Sequence, residues 1–243
     1  MTELESAAPE FARIVASVHA AARHRSTRGG RDPATPVLVA LVGAPGAGKS
    51  YVSAALGECL QQFAELGETA CMAMDGYHLS NSALDSLGLR SKKGAPETFD
   101  PAGLASLLRR VRSGEPGTIY APDYDRDLHE PVAARFAIPP GSGIVLVEGN
   151  YLLLDGGRWA EVTRAFDVSI FLDVPGELRR ARLQARHVSF GRTPQQAADW
   201  VESVDEPNAL LIEASAVRAT VRVDAEALAG ELRHLRCAGD KTA

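Results

Sequence analysis

The sequence predicts an α/β protein, a three-layer α/β/α arrangement around a central parallel sheet, in a chain of 243 residues. Three observations lead there. Short β-rich runs alternate with helical stretches along most of the chain, the signature of strand–helix–strand units. Several runs are apolar throughout instead of alternating, as expected of parallel strands covered on both faces. The 45% hydrophobic and 23% charged residues match an ordinary folded domain and exclude a disordered chain or a fibre.

Taken in order, residues 3–22 carry Phe11, Ile14, Val15 and Val18 at helical spacing and predict an amphipathic helix. That helix is open to two placements, packing on its own domain or a homodimer contact. Residues 23–31 are basic, contain Gly29-Gly30 and lead to Asp32-Pro33, which reads as a loop. Residues 1–35 are therefore an N-terminal helix and basic linker, and 36–243 the main domain. Strands are predicted at Val37–Val42, Cys71–Met74, Ile144–Val147, Val168–Leu172 and Ala219–Val223. Helices are predicted near 48–65, 101–113, 158–165, 175–188, 194–203 and 225–236. Residues 76–142 are too long for one crossover helix and include a polar stretch rich in Gly, Pro and Tyr. They predict an insertion over the ligand-binding edge of the sheet.

Charge and cysteine content narrow the class. With 26 basic and 31 acidic residues the net charge is −5, which argues against nucleic acid as a partner. Cys59, Cys71 and Cys237 share no metal-ligand spacing and read as reduced thiols. The longest apolar runs are too short to cross a bilayer, and the N-terminus shows no signal-peptide core. The expectation is a cytoplasmic protein with no membrane partner.

The strongest motif is Gly43-Ala44-Pro45-Gly46-Ala47-Gly48-Lys49-Ser50, a complete GxxxxGK[ST] loop. A buried-looking strand precedes it, and a helical pattern beginning with Tyr51 follows. Its successive amides and the helix N-terminus suit a polyphosphate. Lys49 would supply charge near the β/γ-phosphates and the Ser50 hydroxyl would bind Mg²⁺. Asn-Lys-x-Asp and Leu-Ser-Gly-Gly-Gln are both missing from the sequence, which argues against guanine-reading and transporter NTPases. The strand Ile144–Val147 leads into Glu148-Gly149, a carboxylate suited to hold Mg²⁺ directly or through water. Met74-Asp75-Gly76-Tyr77-His78 follows the strand before the insertion. Residues just past C-terminal strand ends line the ligand crevice of such sheets. There Asp75 can accept a substrate hydroxyl proton, and Tyr77 and His78 can touch an acceptor.

The loop, Asp75–His78, Lys93-Gly94-Ala95-Pro96-Glu97-Thr98-Phe99-Asp100 and Tyr120-Ala121-Pro122-Asp123-Tyr124-Asp125-Arg126 occur in an order that resembles a known kinase group. It is the superfamily of uridine kinase, phosphoribulokinase and bacterial pantothenate kinase, and the resemblance covers about residues 36–224. It implies a P-loop kinase fold, with five strands ordered 2-3-1-4-5, and ATP-dependent phosphorylation of a small-molecule hydroxyl with Asp75 as base. Nucleosides, pantothenate-like alcohols and sugars all remain open as acceptors. An acceptor opposite the phosphates would meet Tyr77, His78, Lys93, Tyr124, Arg126 and His129, with Phe99 in the wall. Arg179, Arg182 and Arg186 share one helix face, and Arg186–Arg192 resembles the uridine kinase lid, whose arginines clamp ATP. The lid is thus expected near 179–194, with Arg182, Arg186 and Arg192 on ATP and Arg186 first at the transition state. The alternative for this cluster is a solvated basic helix. Asn208 suits either the adenine or a helix cap. The alternative for the whole protein is a regulatory P-loop NTPase that needs no small-molecule acceptor.

Overall fold

A computed structural model of the protein describes residues 2–27 and 35–239. Five strands, β1 (Val37–Val42), β2 (Thr69–Ala73), β5 (Ile144–Gly149), β6 (Val168–Asp173) and β7 (Val221–Asp224), form one sheet in the order β2-β5-β1-β6-β7. All of its pairings are parallel. Without the separate antiparallel hairpin of β3 (Ile119–Asp125) and β4 (Glu130–Ile138), this is the order 2-3-1-4-5. The apolar runs explain the centre: every residue of β1 is buried, and β5 and β6 are buried except near their ends.

Register brings the chemistry together. Leu41 of β1 and Ala73 of β2 both lie opposite Glu148 of β5. The C-terminal ends of these three strands therefore align, and the segments leaving them share one edge of the sheet.

Helices cover both faces: α1 (Thr2–Ala7), α2 (Pro9–Thr27), α3 (Lys49–Leu60), α4 (Asn81–Ser86), α5 (Pro101–Arg112), α6 (Trp159–Thr163), α7 (Gly176–Ser189), α8 (Pro194–Trp200), α9 (Glu206–Ser215) and α10 (Ala225–Gly239). One core lies between the sheet and α2, α3 and α10, the other beneath α5, α6 and the hairpin. Phe11, Ile14, Val15 and Val18 of α2 are buried in the first, each worth about 1.5–3 kcal/mol. The Glu231 carboxylate of α10 accepts from the amides of Glu10 and Phe11 at 3.2 and 2.9 Å, capping α2 from within the chain. Of the two placements open to this helix, its apolar face takes the intramolecular one.

Three features depart from the sequence reading. Helix α2 continues through Thr27, because residues 23–27 contain no breaker; Gly29-Gly30 and the rest of 28–34 lie outside the described residues. The insertion holds the β3–β4 hairpin, whose bulge between Ala121 and Asp123 and mostly unburied β4 erase the two-residue alternation. The helix expected to stop near 203 runs on through a π-helical turn, Val201–Asp205, into α9. The wider turn accommodates Pro207, which otherwise reads as a stop. No helix among the described residues is long and apolar enough to cross a membrane.

Candidate active site

The phosphate-type loop joins β1 to α3. Gly48 caps α3 in the left-handed region with no side-chain hydrogen bond, so the first amides of the helix are left for a ligand. Gly46 also has φ +83°, and a Cβ there would stand 2.8 Å from the Arg179 carbonyl oxygen. Only glycine lets this loop lie against α7. Lys49 folds back across the loop, its Nζ donating to the carbonyls of Gly43 at 2.8 Å and Ala44 at 3.2 Å. Burial pushes its ammonium pKa below the usual value, against the opposing pull of Glu148 and Asp75.

Glu148 emerges from β5 beside the start of α3. The Ser50 hydroxyl donates to its Oε1 at 2.7 Å. Burial raises the carboxyl pKa most strongly, while Lys49 and the Ser50 hydrogen bond hold it down. Asp75 leaves β2 in a 3₁₀ turn, Met74–Tyr77. The hairpin lies directly over this turn: a Cβ on Gly76 would meet the Pro122 carbonyl oxygen at 2.3 Å. Glycine here is what permits the insertion to close over Asp75.

The insertion builds the other wall. The His78 ring Nδ1 lies 2.8 Å from the Asp75 carbonyl oxygen; a carbonyl only accepts, so Nδ1 carries the proton and Nε2 is the free acceptor. Burial lowers the His78 pKa, and Asp75 partly restores it. The ring is flanked by Phe99 at 3.9 Å and Tyr124 at 4.8 Å between centroids. Lys93 Nζ donates to Asn81 Oδ1 and to the His129 carbonyl, both at 2.6 Å, and sits 5.1 Å above the Tyr124 ring. Beneath this wall the buried Tyr151 hydroxyl donates to the Gly94 carbonyl at 2.6 Å.

These groups meet in one cavity of about 510 Å³. Of the residues expected from sequence, Pro45, Gly46, Gly48, Lys49, Ser50, Tyr51, Asp75, His78, Lys93, Phe99, Arg126, Glu148, Arg182 and Arg186 line it. Gly43 contributes its carbonyl to Lys49, while Ala44 and Ala47 face a separate cavity behind the loop. Tyr77 is packed in the core below. Tyr124 stands behind His78, and His129 offers its backbone oxygen to Lys93 while its side chain lies outside the lining.

The arginine helix divides by partner. Arg179 is buried and bonded to Glu206 at 2.6 Å, tying α7 to α9. Arg182 Nη2 reaches both oxygens of Glu226, at 2.8 and 2.9 Å. Arg186 forms no salt bridge among the described residues and faces the cavity. Arg192, in the turn between α7 and α8, stacks on Trp200 at the end of α8 at 3.7 Å and lies outside the cavity lining. Trp200, Asp205 and Asn208 also line the cavity, with His187 Nε2 2.7 Å from Asp205 Oδ2. Asn208 Nδ2 donates to the Val204 carbonyl at 3.0 Å. Trp200, Asp205 and Tyr151 escaped the sequence reading, since a π-turn and a buried hydroxyl leave no periodic or motif signal.

No protein-family model matches the chain. The Escherichia coli (strain K12) protein named "Uncharacterized protein YggC" is 40% identical over 177 residues, 73% of each chain. "Putative uridine kinase C227.14" of Schizosaccharomyces pombe is 31% identical over 187 residues, 74% of this chain and 80% of that protein. The crystal structure of a "putative fructose transport system kinase" from Silicibacter sp. TM1040 superposes with a TM-score of 0.73 at 33% identity. It covers 85% of this chain and 98% of that one.

Proposed function

The chain belongs to the superfamily of P-loop kinases that contains uridine kinase, phosphoribulokinase and bacterial pantothenate kinase, and from that premise we propose that it transfers the γ-phosphoryl group of Mg·ATP to a hydroxyl of a small metabolite, with Asp75 as base. One observation carries this reading. Lys49, Glu148 and Asp75 enter one cavity from three neighbouring strand ends, and the far side of that cavity is a built wall of His78, Phe99, Lys93 and Arg126. A regulatory NTPase needs only a water beyond its γ-phosphate; a wall of aromatic and cationic groups suits a second substrate.

Each residue has a defined task. Lys49 already points its ammonium at two carbonyl oxygens of its own loop, and phosphate oxygens of ATP would take those donors over. Arg186 would reach the transferred group from α7, its fork matched to phosphate oxygens. Ser50 and Glu148 put two oxygens at 2.7 Å, a hard donor set that fits Mg²⁺, which offsets phosphate charge when bound. Such an ion takes its remaining ligands from substrate phosphates and water. Asp75 orients the acceptor hydroxyl and takes its proton as the new O–P bond forms. The bond from the γ-phosphorus to the β-γ bridging oxygen breaks and ADP leaves. Alignment and charge stabilisation supply most of the acceleration in such transfers. ATP as donor also fits a cytoplasmic setting.

Incubating the purified protein with Mg·ATP and a library of hydroxyl metabolites tests the reading. A mass gain of one phosphoryl group on a library member is the expected result. ADP release that no hydroxyl compound stimulates would contradict it.

A further inference from the structure

The acceptor side of the cleft holds two cations with no salt bridge of their own. Lys93 Nζ has two partners at 2.6 Å, and both are neutral oxygens, Asn81 Oδ1 and the His129 carbonyl. An ammonium carries three donors, so one remains, and Lys93 lines the cavity. The carboxylate that acts on it, Glu130, forms no salt bridge with it, and both its oxygens accept from the Asn81 amide at 3.0 Å. Arg126, at the turn of the β3–β4 hairpin, lines the same cavity and forms no salt bridge or hydrogen bond among the described residues. The carboxylate whose charge it meets, Glu148, is held by Ser50 and influenced by Lys49.

The position of Lys93 is constructed. His129 adopts φ +54° without being glycine, a conformation that costs roughly 1–2 kcal/mol. That backbone presents its carbonyl to both Lys93 Nζ and Asn81 Nδ2. Burial lowers the Lys93 pKa, with Glu130 opposing. A neutral alcohol gains little from a partly desolvated ammonium and an unpaired guanidinium. A planar or tetrahedral anion fits both, the fork bidentately and the ammonium as a point charge.

We propose that the acceptor is a small hydroxylated anion whose carboxylate or phosphate group is held by Lys93 and Arg126 while its hydroxyl faces Asp75. This deepens the kinase reading and rests on it. Sites built to pair a polar group reject analogues that lack it by large factors, because their own groups are left unpaired.

The test uses matched probes: glycerate with glycerol, pantothenate with pantothenol, gluconate with glucose, and fructose 6-phosphate with fructose. Phosphoryl transfer from Mg·ATP is followed by ADP release and product mass. The anionic member of an active pair should exceed its neutral counterpart in kcat/KM by about 10²-fold, and the active pairs separate a carboxylate from a phosphate. Arg126→Gln and Lys93→Gln should each raise acceptor KM by about 10–100-fold with ATP KM unchanged, and Arg126→Lys should recover part of the loss. Binding supplies a second readout, since the same anion should raise the Tm of the ADP-loaded wild type and not of the double Gln variant. Equal ADP-induced shifts in both proteins establish that the variant is folded. Neutral members turned over as well as the anions would overturn the proposal and leave the kinase reading standing. So would Arg126→Gln that raises ATP KM alone. ATP binding without transfer to any probe, coupled with acceptor-independent ATP hydrolysis, would instead overturn the kinase reading and this inference with it.

Discussion

Asparagine at position 75 keeps the size of the side chain and leaves the backbone carbonyl that holds His78, but it cannot take a proton from an alcohol at neutral pH. General-base assistance is worth about 10²–10⁴-fold, equivalent to about 2.7–5.4 kcal/mol in the barrier. The cavity makes a further, signed prediction. Asp75 raises the pKa of Glu148 and supports the charge of Lys49. Removing its charge therefore relieves Glu148 and reduces the negative field that an incoming triphosphate meets. Asp75→Asn should keep ATP affinity at or above the wild-type value while the chemical step slows. Rapid-quench single turnovers at saturating ATP isolate that step, and nucleotide titration measures the affinity. A single-turnover rate within a few-fold of wild type would refute Asp75 as the base, and equal losses in rate and ATP affinity would make it a metal-orienting group.

Four other perturbations probe separate parts of the account. Lys49→Ala should cost about 10²–10³-fold in turnover with the circular dichroism of the fold retained; unchanged turnover in a folded variant would remove Lys49 from the phosphate site. Arg186→Lys keeps the charge but loses the planar fork, so activity should still fall, and full activity would reduce the residue to a surface charge. Tyr151→Phe leaves the Gly94 carbonyl without its 2.6 Å donor, at a cost of about 1–3 kcal/mol. At roughly 2–4 °C per kcal/mol for a chain of this size, calorimetry should register a clear fall in Tm, whereas no change would mean that water replaces the hydroxyl. The buried His78 has its pKa lowered from 6.5, so the stability it contributes is complete above pH 6.5 and is lost as pH falls through its folded value. His78→Gln should flatten the decline in stability below pH 6.5, and parallel wild-type and variant curves would count against that linkage.

What was legible in the sequence follows from which constraints are local. The β1 run Val37–Val42 is apolar throughout because both its faces are covered, and Gly46 and Gly48 of the loop both sit at φ +83°, a backbone that glycine adopts freely. Both can be read without knowing their neighbours. The arginine helix shows where local reading stops. The spacing of Arg179, Arg182 and Arg186 puts them on one face, yet it cannot say that Arg179 is buried against Glu206 and Arg182 held by Glu226. Those carboxylates lie 27 and 44 residues away. Likewise Pro207 reads as a stop unless the π-turn before it is known. The role of His129 resides in its carbonyl oxygen and left-handed backbone, features that a residue name does not carry.

The most direct measurement is a product balance on purified protein supplied with Mg·ATP, with and without its best hydroxyl acceptor. ADP, inorganic phosphate and phosphorylated acceptor are counted in the same reaction. On the kinase reading, acceptor accelerates ADP formation, each ADP is matched by one phosphorylated acceptor, and free phosphate stays near background. Free phosphate equal to ADP, at a rate the acceptor does not change, would contradict it and identify an NTPase in place of a kinase.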